Sequence, residues 1–197
     1  MVDNRNYLIH PHYIAMSLLL IGVSSLFIGF SASYIYSRVQ FDLEPLKVPI
    51  LFIINTGILV LSSAVLAYAM KCYKQDQTQK YQLSLAIALG LTVIFLASQI
   101  IAWNDLYNQG IFVNNGNMAD YLYLISFVHF AHVIVGIPFL GLFLFTSVKR
   151  MKEPVSVLVY FSDPDKKRKL KLLTIYWHFL DILWIYLVLF FLVNSFI

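Results

Sequence analysis

Along the chain, apolar and polar positions alternate on a coarse scale, and five long apolar segments stand out. They are Ile14–Tyr36, Val48–Met70, Leu83–Trp103, Tyr121–Val148 and Leu172–Ile197, separated by connections of 11, 12, 17 and 23 residues. Each has at least 21 residues, enough to cross roughly 30 Å of hydrocarbon at about 1.5 Å per residue. The last two are long enough to tilt or to project past the headgroups. Lipid offers no hydrogen bonds to an open backbone, so the segments must be helices. The pattern therefore predicts an all-α, polytopic membrane protein: one domain over residues 1–197, built as a bundle of five transmembrane helices. Pro138 falls well inside the fourth segment and predicts a kink there. No Ser- or Gly-rich linker, internal repeat or low-complexity tract divides the chain. VSVLVYF at 155–161, flanked by Pro154 and Pro164, reads as a strand-like or interfacial patch.

Composition agrees with lipid as the solvent. The chain is 60% hydrophobic and 12% charged, with a mean hydropathy of +0.75, against about 25% charged residues in soluble domains. The net charge of +4 is a topology signal rather than a sign of nucleic-acid binding. With the N-terminus in the cytoplasm, Arg5, the 71–82 loop and the 149–171 loop place 12 Lys and Arg on that side, and only Arg38 and Lys47 lie opposite. This positive-inside bias predicts a cytoplasmic N-terminus and a C-terminus on the opposite side. The run KKRKLK at 166–171 serves as a topology anchor, with an anionic-lipid contact as the alternative. Cys72 is the single cysteine, so neither a disulfide framework nor a cysteine-based metal site is available. The first apolar run is too long for the core of a signal peptide and is expected to be a retained helix.

Within the spans the polar inventory is short: Asn55, Gln99, His129, His132, His178 and Asp181. An ionised carboxylate at bilayer depth costs roughly 2.5–3.5 kcal/mol even on a mild insertion scale, so Asp181 needs company. Asn55 and Gln99 are expected to hydrogen-bond between helices. His129 and His132 are spaced i, i+3, and so are His178 and Asp181, which puts each pair on one helix face. The spacing predicts a polar seam between the last two helices, with Asp181 accepting from an imidazole or from Trp or Tyr donors. The aromatics Tyr176, Trp177, Trp184 and Tyr186 read either as interfacial packing or as part of that seam. Three functional readings stand beside it: a haem between His132 and His178, a copper or zinc site of three His and Asp181, and a proton or ion path. No nucleotide loop, Ser/His/Asp set or HExxH motif occurs.

YWHFLDILWIYLVLF, from Tyr176, closely resembles the final-helix signature of subunit III of haem–copper oxidases, with Tyr176, Trp177, His178, Phe179, Asp181 and Trp184 in place. HFAHVIVG at 129–136 resembles the same family's preceding helix through His129, His132, Val133 and Gly136. Gln99, Trp103 and Gly110 match a Gln, an aromatic and a Gly upstream. Five spans resemble the family's shorter form, which lacks the first two helices of the seven-helix form. The resemblance implies a subunit with no catalytic residue, cofactor or metal of its own, with His129, His132, Trp177, His178, Asp181 and Trp184 forming a structural seam or lipid cleft. Haem and copper are then expected in partner subunits, and bound phospholipid in this one. It also implies direct contact with subunit I, and subunit II and small subunits in the same complex. A respiratory supercomplex and a bacterial inner membrane complete the expectation. Its role would be to stabilise a catalytic subunit that reduces oxygen and pumps protons.

Three family glutamates are replaced, at Val23, Ala102 and Lys171, which removes any role resting on those carboxylates. The rivals are subunit III of a quinol oxidase and, from another class, a haem-binding membrane cytochrome b subunit; a small transporter lacks the broken helices it would need.

Overall fold

Residues 10–43, 48–113 and 118–196 are described by the structure, a computed structural model; Arg5, Lys47 and Ile197, which entered the charge count or a span boundary, lie outside them. The chain forms α1 (Pro11–Phe41), α2 (Ile50–Lys74), α3 (Thr78–Asn108), α4 (Ala119–Arg150), α5 (Pro154–Ser162) and α6 (Pro164–Phe196). All except α5 are long and apolar enough to cross a membrane, giving five spans among the described residues. They overrun the apolar segments that predicted them: α3 extends from 78 to 108 and α6 begins at Pro164. Hydropathy marks only the lipid-facing length, whereas the flanking Gln, Lys and Arg are good helix formers in water. α4 continues through Pro138 as one helix.

The segment 155–161 differs from its strand-like expectation. It is the short helix α5, with Pro154 in its first turn and Tyr160 and Phe161 buried. A brief β-branched run is ambiguous by periodicity alone. Here Pro154, pre-set to a helical φ, and burial of two adjacent aromatics decide for the helix. Tyr160 and Phe161 dock on Tyr73 of α2 and Tyr81 of α3, with ring centroids 5.1–6.5 Å apart. The Tyr73 hydroxyl donates to the Tyr160 carbonyl at 3.1 Å.

α2 and α3 form a tight antiparallel hairpin, turning at Gln75–Gln77 with Asp76 in the left-handed region at φ 56°. The turn needs that conformation, which Asp tolerates better than most side chains. α2, α3, α4 and α6 close into a four-helix ring through the pairs α2–α3, α3–α4, α4–α6 and α6–α2, and α1 packs outside on α4 and α6. Each seam carries at least one hydrogen bond. Asn55 donates to Gln99 at 3.0 Å between α2 and α3, as expected. Trp103 donates to Ser126 at 3.0 Å between α3 and α4, and Tyr176 to the His132 carbonyl at 2.9 Å between α6 and α4. On the outside, Tyr121 bonds Ser33 and Ser37 of α1 at 3.0 and 2.7 Å, and Tyr186 donates to Ser31 at 2.9 Å.

α6 starts where its sequence says a helix can start. Pro164 is its first residue. The Asp163 carboxylate accepts from the backbone N–H of Asp165 at 3.0 Å and of Lys166 at 3.4 Å, satisfying donors that have no partner within the helix. Burial pushes the Asp163 carboxyl up, but the Lys166 ammonium 3.2 Å away and these backbone donors outweigh it and hold the group below its ordinary value. A carboxyl depressed in the folded state stabilises above its unfolded pKa, and that contribution is lost as pH falls through the folded value. Asp163→Ala is therefore expected to cost about 1 kcal/mol at the start of α6, read as faster amide exchange at residues 165–168 near neutral pH. Acidification below the ordinary carboxylate range should loosen the same turn more in the parent chain than in the variant, which keeps only the Asp165–Arg168 pair there.

Candidate functional site

At the centre of the four-helix ring, each helix contributes one ring. Trp184 of α6 lies 5.0 Å from His129 of α4, 5.3 Å from Phe95 of α3 and 5.3 Å from Phe52 of α2, measured between centroids. Phe95 stands edge-on to both His129 and Trp184, at interplanar angles of 90° and 86°, the geometry that sets a positive ring edge on a negative face. All four are buried. Neither nitrogen of His129 and not the indole N–H of Trp184 has a hydrogen-bond partner among the described residues. His129 serves here as an aromatic plate that shares a cluster with the tryptophan.

The predicted seam residues do gather around α4 and α6, but they point in three directions. His129 faces the ring centre. His132, one turn on, bonds through Nδ1 to its own helix at the Val128 carbonyl, 2.7 Å away, and faces Phe27 of α1 at 6.1 Å between centroids. His178 turns the other way, to α2, where its Nδ1 meets the Ser63 hydroxyl. Asp181 is buried, and its Oδ2 has no hydrogen-bond partner among the described residues. The pairing of an α6 carboxylate with an α4 imidazole is thus not formed, because α6 is rotated so that His178 meets Ser63 of α2 while His132 bonds its own helix. Ser63, unremarked in the sequence, takes the place of the second imidazole. Its only signal was a Ser62–Ser63 pair in a largely apolar stretch of α2, and small hydroxyl residues commonly bond across membrane helices.

Trp177 completes the α4–α6 contact. It is 2% exposed and lies over Gly136 so closely that a Cβ there would sit 2.7 Å from its Cζ3 and 3.3 Å from its Cη2. The missing side chain at Gly136 is what lets the two helices approach. Val23 and Ala102 are buried in apolar packing, and Lys171 places its Nζ 5.6 Å from the Tyr13 ring centroid. Among the described residues, no three His, Cys, Asp or Glu side chains converge as metal ligands.

A groove of about 1160 Å³ runs between α1 and α6 at the end away from most of the lysines, lined by Ile35, Val39, Tyr186, Leu189 and Phe190. Arg38 stands in it, donating to the Asn194 carbonyl at 2.7 Å.

Comparison with known proteins gives a consistent result. The family model described as cytochrome c oxidase subunit III matches residues 24–195. A cytochrome c oxidase subunit 3 of Thermostichus vulcanus is 29% identical over 90% of this chain and 86% of its own length. The subunit 3 of Bacillus sp. (strain PS3) is 24% identical over 89% and 82%. A probable quinol oxidase subunit 3 of Staphylococcus saprophyticus is 23% identical over 70% and 63%.

Two substitutions test this geometry. Gly136→Ala is expected to overpack the α4–α6 contact and destabilise by about 1–3 kcal/mol, measured as a lower melting temperature of the detergent-extracted protein. Trp177→Phe on that background should restore part of the loss, since it removes the ring atoms nearest the added methyl; two independent, additive losses would contradict the contact.

Proposed function

The chain belongs to the cytochrome c oxidase subunit III family, and from that premise we propose that it is a non-redox brace for the catalytic subunit of a proton-pumping terminal oxidase. In this reading it packs directly on subunit I, with subunit II and small subunits in the same complex. Haem and copper are carried by those partners, and the basic end of the bundle faces the cytoplasm, as the charge asymmetry favours. The observation that carries the reading is the internal use of the polar groups. His129 is spent in a ring cluster, His178 meets Ser63, and Tyr176 bonds across to α4. What remains outside is apolar: Leu18, Ile28, Leu142 and Phe145 are 60–65% exposed. Such an exterior fits lipid and other membrane helices, and van der Waals packing drives association there. The α1–α6 groove suits a phospholipid, with acyl chains along Leu189 and Phe190 and the Arg38 guanidinium beside the phosphate.

A quinol oxidase is the second reading, favoured by the Staphylococcus relative. The electron donor docks on other subunits, so oxidation of reduced cytochrome c against oxidation of a quinol by the purified complex decides between them.

Extraction in mild detergent is expected to bring this chain out together with a large, haem-bearing, many-span partner. Trp184→Ala, which empties the middle of the ring at a cost of about 3–5 kcal/mol, should lower the yield of that complex and speed its inactivation during turnover. Recovery of the wild-type chain alone and folded, or a reduced haem band on the isolated chain, would overturn the reading.

A further inference from the structure

The corner where α4 ends, α5 lies across the bundle and α6 begins has two properties side by side. The first is a concentration of cations. Lys149, Arg150, Lys152 and Lys166 line a pocket of about 480 Å³ against the single carboxylate of Glu153, a volume within the roughly 300–1,000 Å³ of ligand sites. Lys166 is engaged with Asp163 at 3.2 Å and lies 4.4 Å from the Tyr160 ring centroid. Lys149, Arg150 and Lys152 are exposed and make no ion pair among the described residues. The acids nearby are already committed, Asp163 to Lys166 and Asp165 to Arg168 at 2.9 Å.

The second property is an apolar stripe on α5. Val155, Leu158 and Val159, at i, i+3 and i+4, are 74%, 71% and 64% exposed and share one helix face. The opposite face is fixed, because Tyr160 and Phe161 are seated on Tyr73 and Tyr81. α5 therefore presents that stripe outward, and its own bundle does not cover it. A short helix with one apolar face, at the polar end of a transmembrane bundle and rimmed by lysines and arginines, lies in the boundary between acyl chains and headgroups. Apolar surface beside concentrated positive charge mirrors the layering of an anionic leaflet, acyl chain beside phosphate. Among possible occupants, that order favours a lipid over an acidic protein segment, which would satisfy the cations and leave Val155, Leu158 and Val159 in water.

We propose that the α4–α5–α6 corner is a binding site for an anionic phospholipid, its phosphate held by Lys149, Arg150 and Lys152 and its acyl chains laid along Val155, Leu158 and Val159. The site is separate from the α1–α6 groove and does not depend on which oxidase the chain serves. It applies to the chain in its complex as extracted from the membrane.

The complex is reconstituted in nanodiscs of phosphatidylcholine doped with phosphatidylglycerol, then stripped with detergent, and retained lipid is counted per chain by mass spectrometry. A triple variant, Lys149→Gln, Arg150→Gln and Lys152→Gln, is expected to lower the apparent affinity for phosphatidylglycerol at least about tenfold. A charge-matched variant at the same end of the bundle, Lys71→Gln, Lys74→Gln and Lys80→Gln, should change it less than about twofold. Glu153→Gln, which removes the pocket's opposing charge and spares the packing, should raise retention. Equal losses in both triple variants, no loss in either, equal retention of phosphatidylcholine, no rise with Glu153→Gln, or an acidic protein co-purifying in place of the lipid would each overturn the site.

Discussion

The fold depends on the contact of four rings, one from each helix of the closed bundle, around the indole of Trp184. In water such a cluster would be held by the hydrophobic effect. Between helices in lipid that force is absent, since acyl tails are as apolar as leucine, and what remains is close packing and a few hydrogen bonds. Phe52, Phe95, His129 and Trp184 supply the packing where the four helices meet. Asn55, Gln99, Trp103, Ser126 and Tyr176 supply directional bonds on the seams around them. Gly136 sets how near α4 and α6 can come, by offering Trp177 bare backbone to lie on.

Much of this was legible in the sequence, for identifiable reasons. The five spans follow from apolar length, because the solvent imposes one secondary structure on all of them. That Asn55 and Gln99 bond between helices follows from scarcity, since amides in apolar helices have few partners; that they bond each other is seen in the structure. What resisted reading was the rotation of α6. His178 and Asp181 share a face, yet that face is turned toward Ser63 of α2 rather than toward the histidines of α4. Spacing fixes which residues travel together along a helix; it does not fix which neighbour they meet. The helical state of α5 has a different origin. Val155–Phe161 has strand-like composition, and a docking contact between elements far apart in sequence, Tyr73 with Phe161 at 5.1 Å, settled its conformation.

Val23, Ala102 and Lys171, which the resemblance matches to family glutamates, behave as ordinary packing or boundary positions in this chain. Val23 and Ala102 are buried among apolar neighbours, and Lys171 rests its ammonium over Tyr13. The ring cluster and the Gly136–Trp177 approach persist without those glutamates.

The long reach of α6 has a consequence for how the protein is made. Tyr186 bonds Ser31 across 155 residues of chain, and Arg38 reaches Asn194 across 156. α2 and α3, joined by a three-residue turn, can enter the bilayer as a hairpin soon after synthesis. α1 has no comparable early companion: its main partners are α6 and α4. During biogenesis α1 gains its first partner only with α4, through Tyr121 on Ser33 and Ser37, and its larger one only when α6 emerges from the ribosome and the translocon. Membrane insertases and proteases would meet the nascent polypeptide in that interval, and the arrival of α6 is what closes the window.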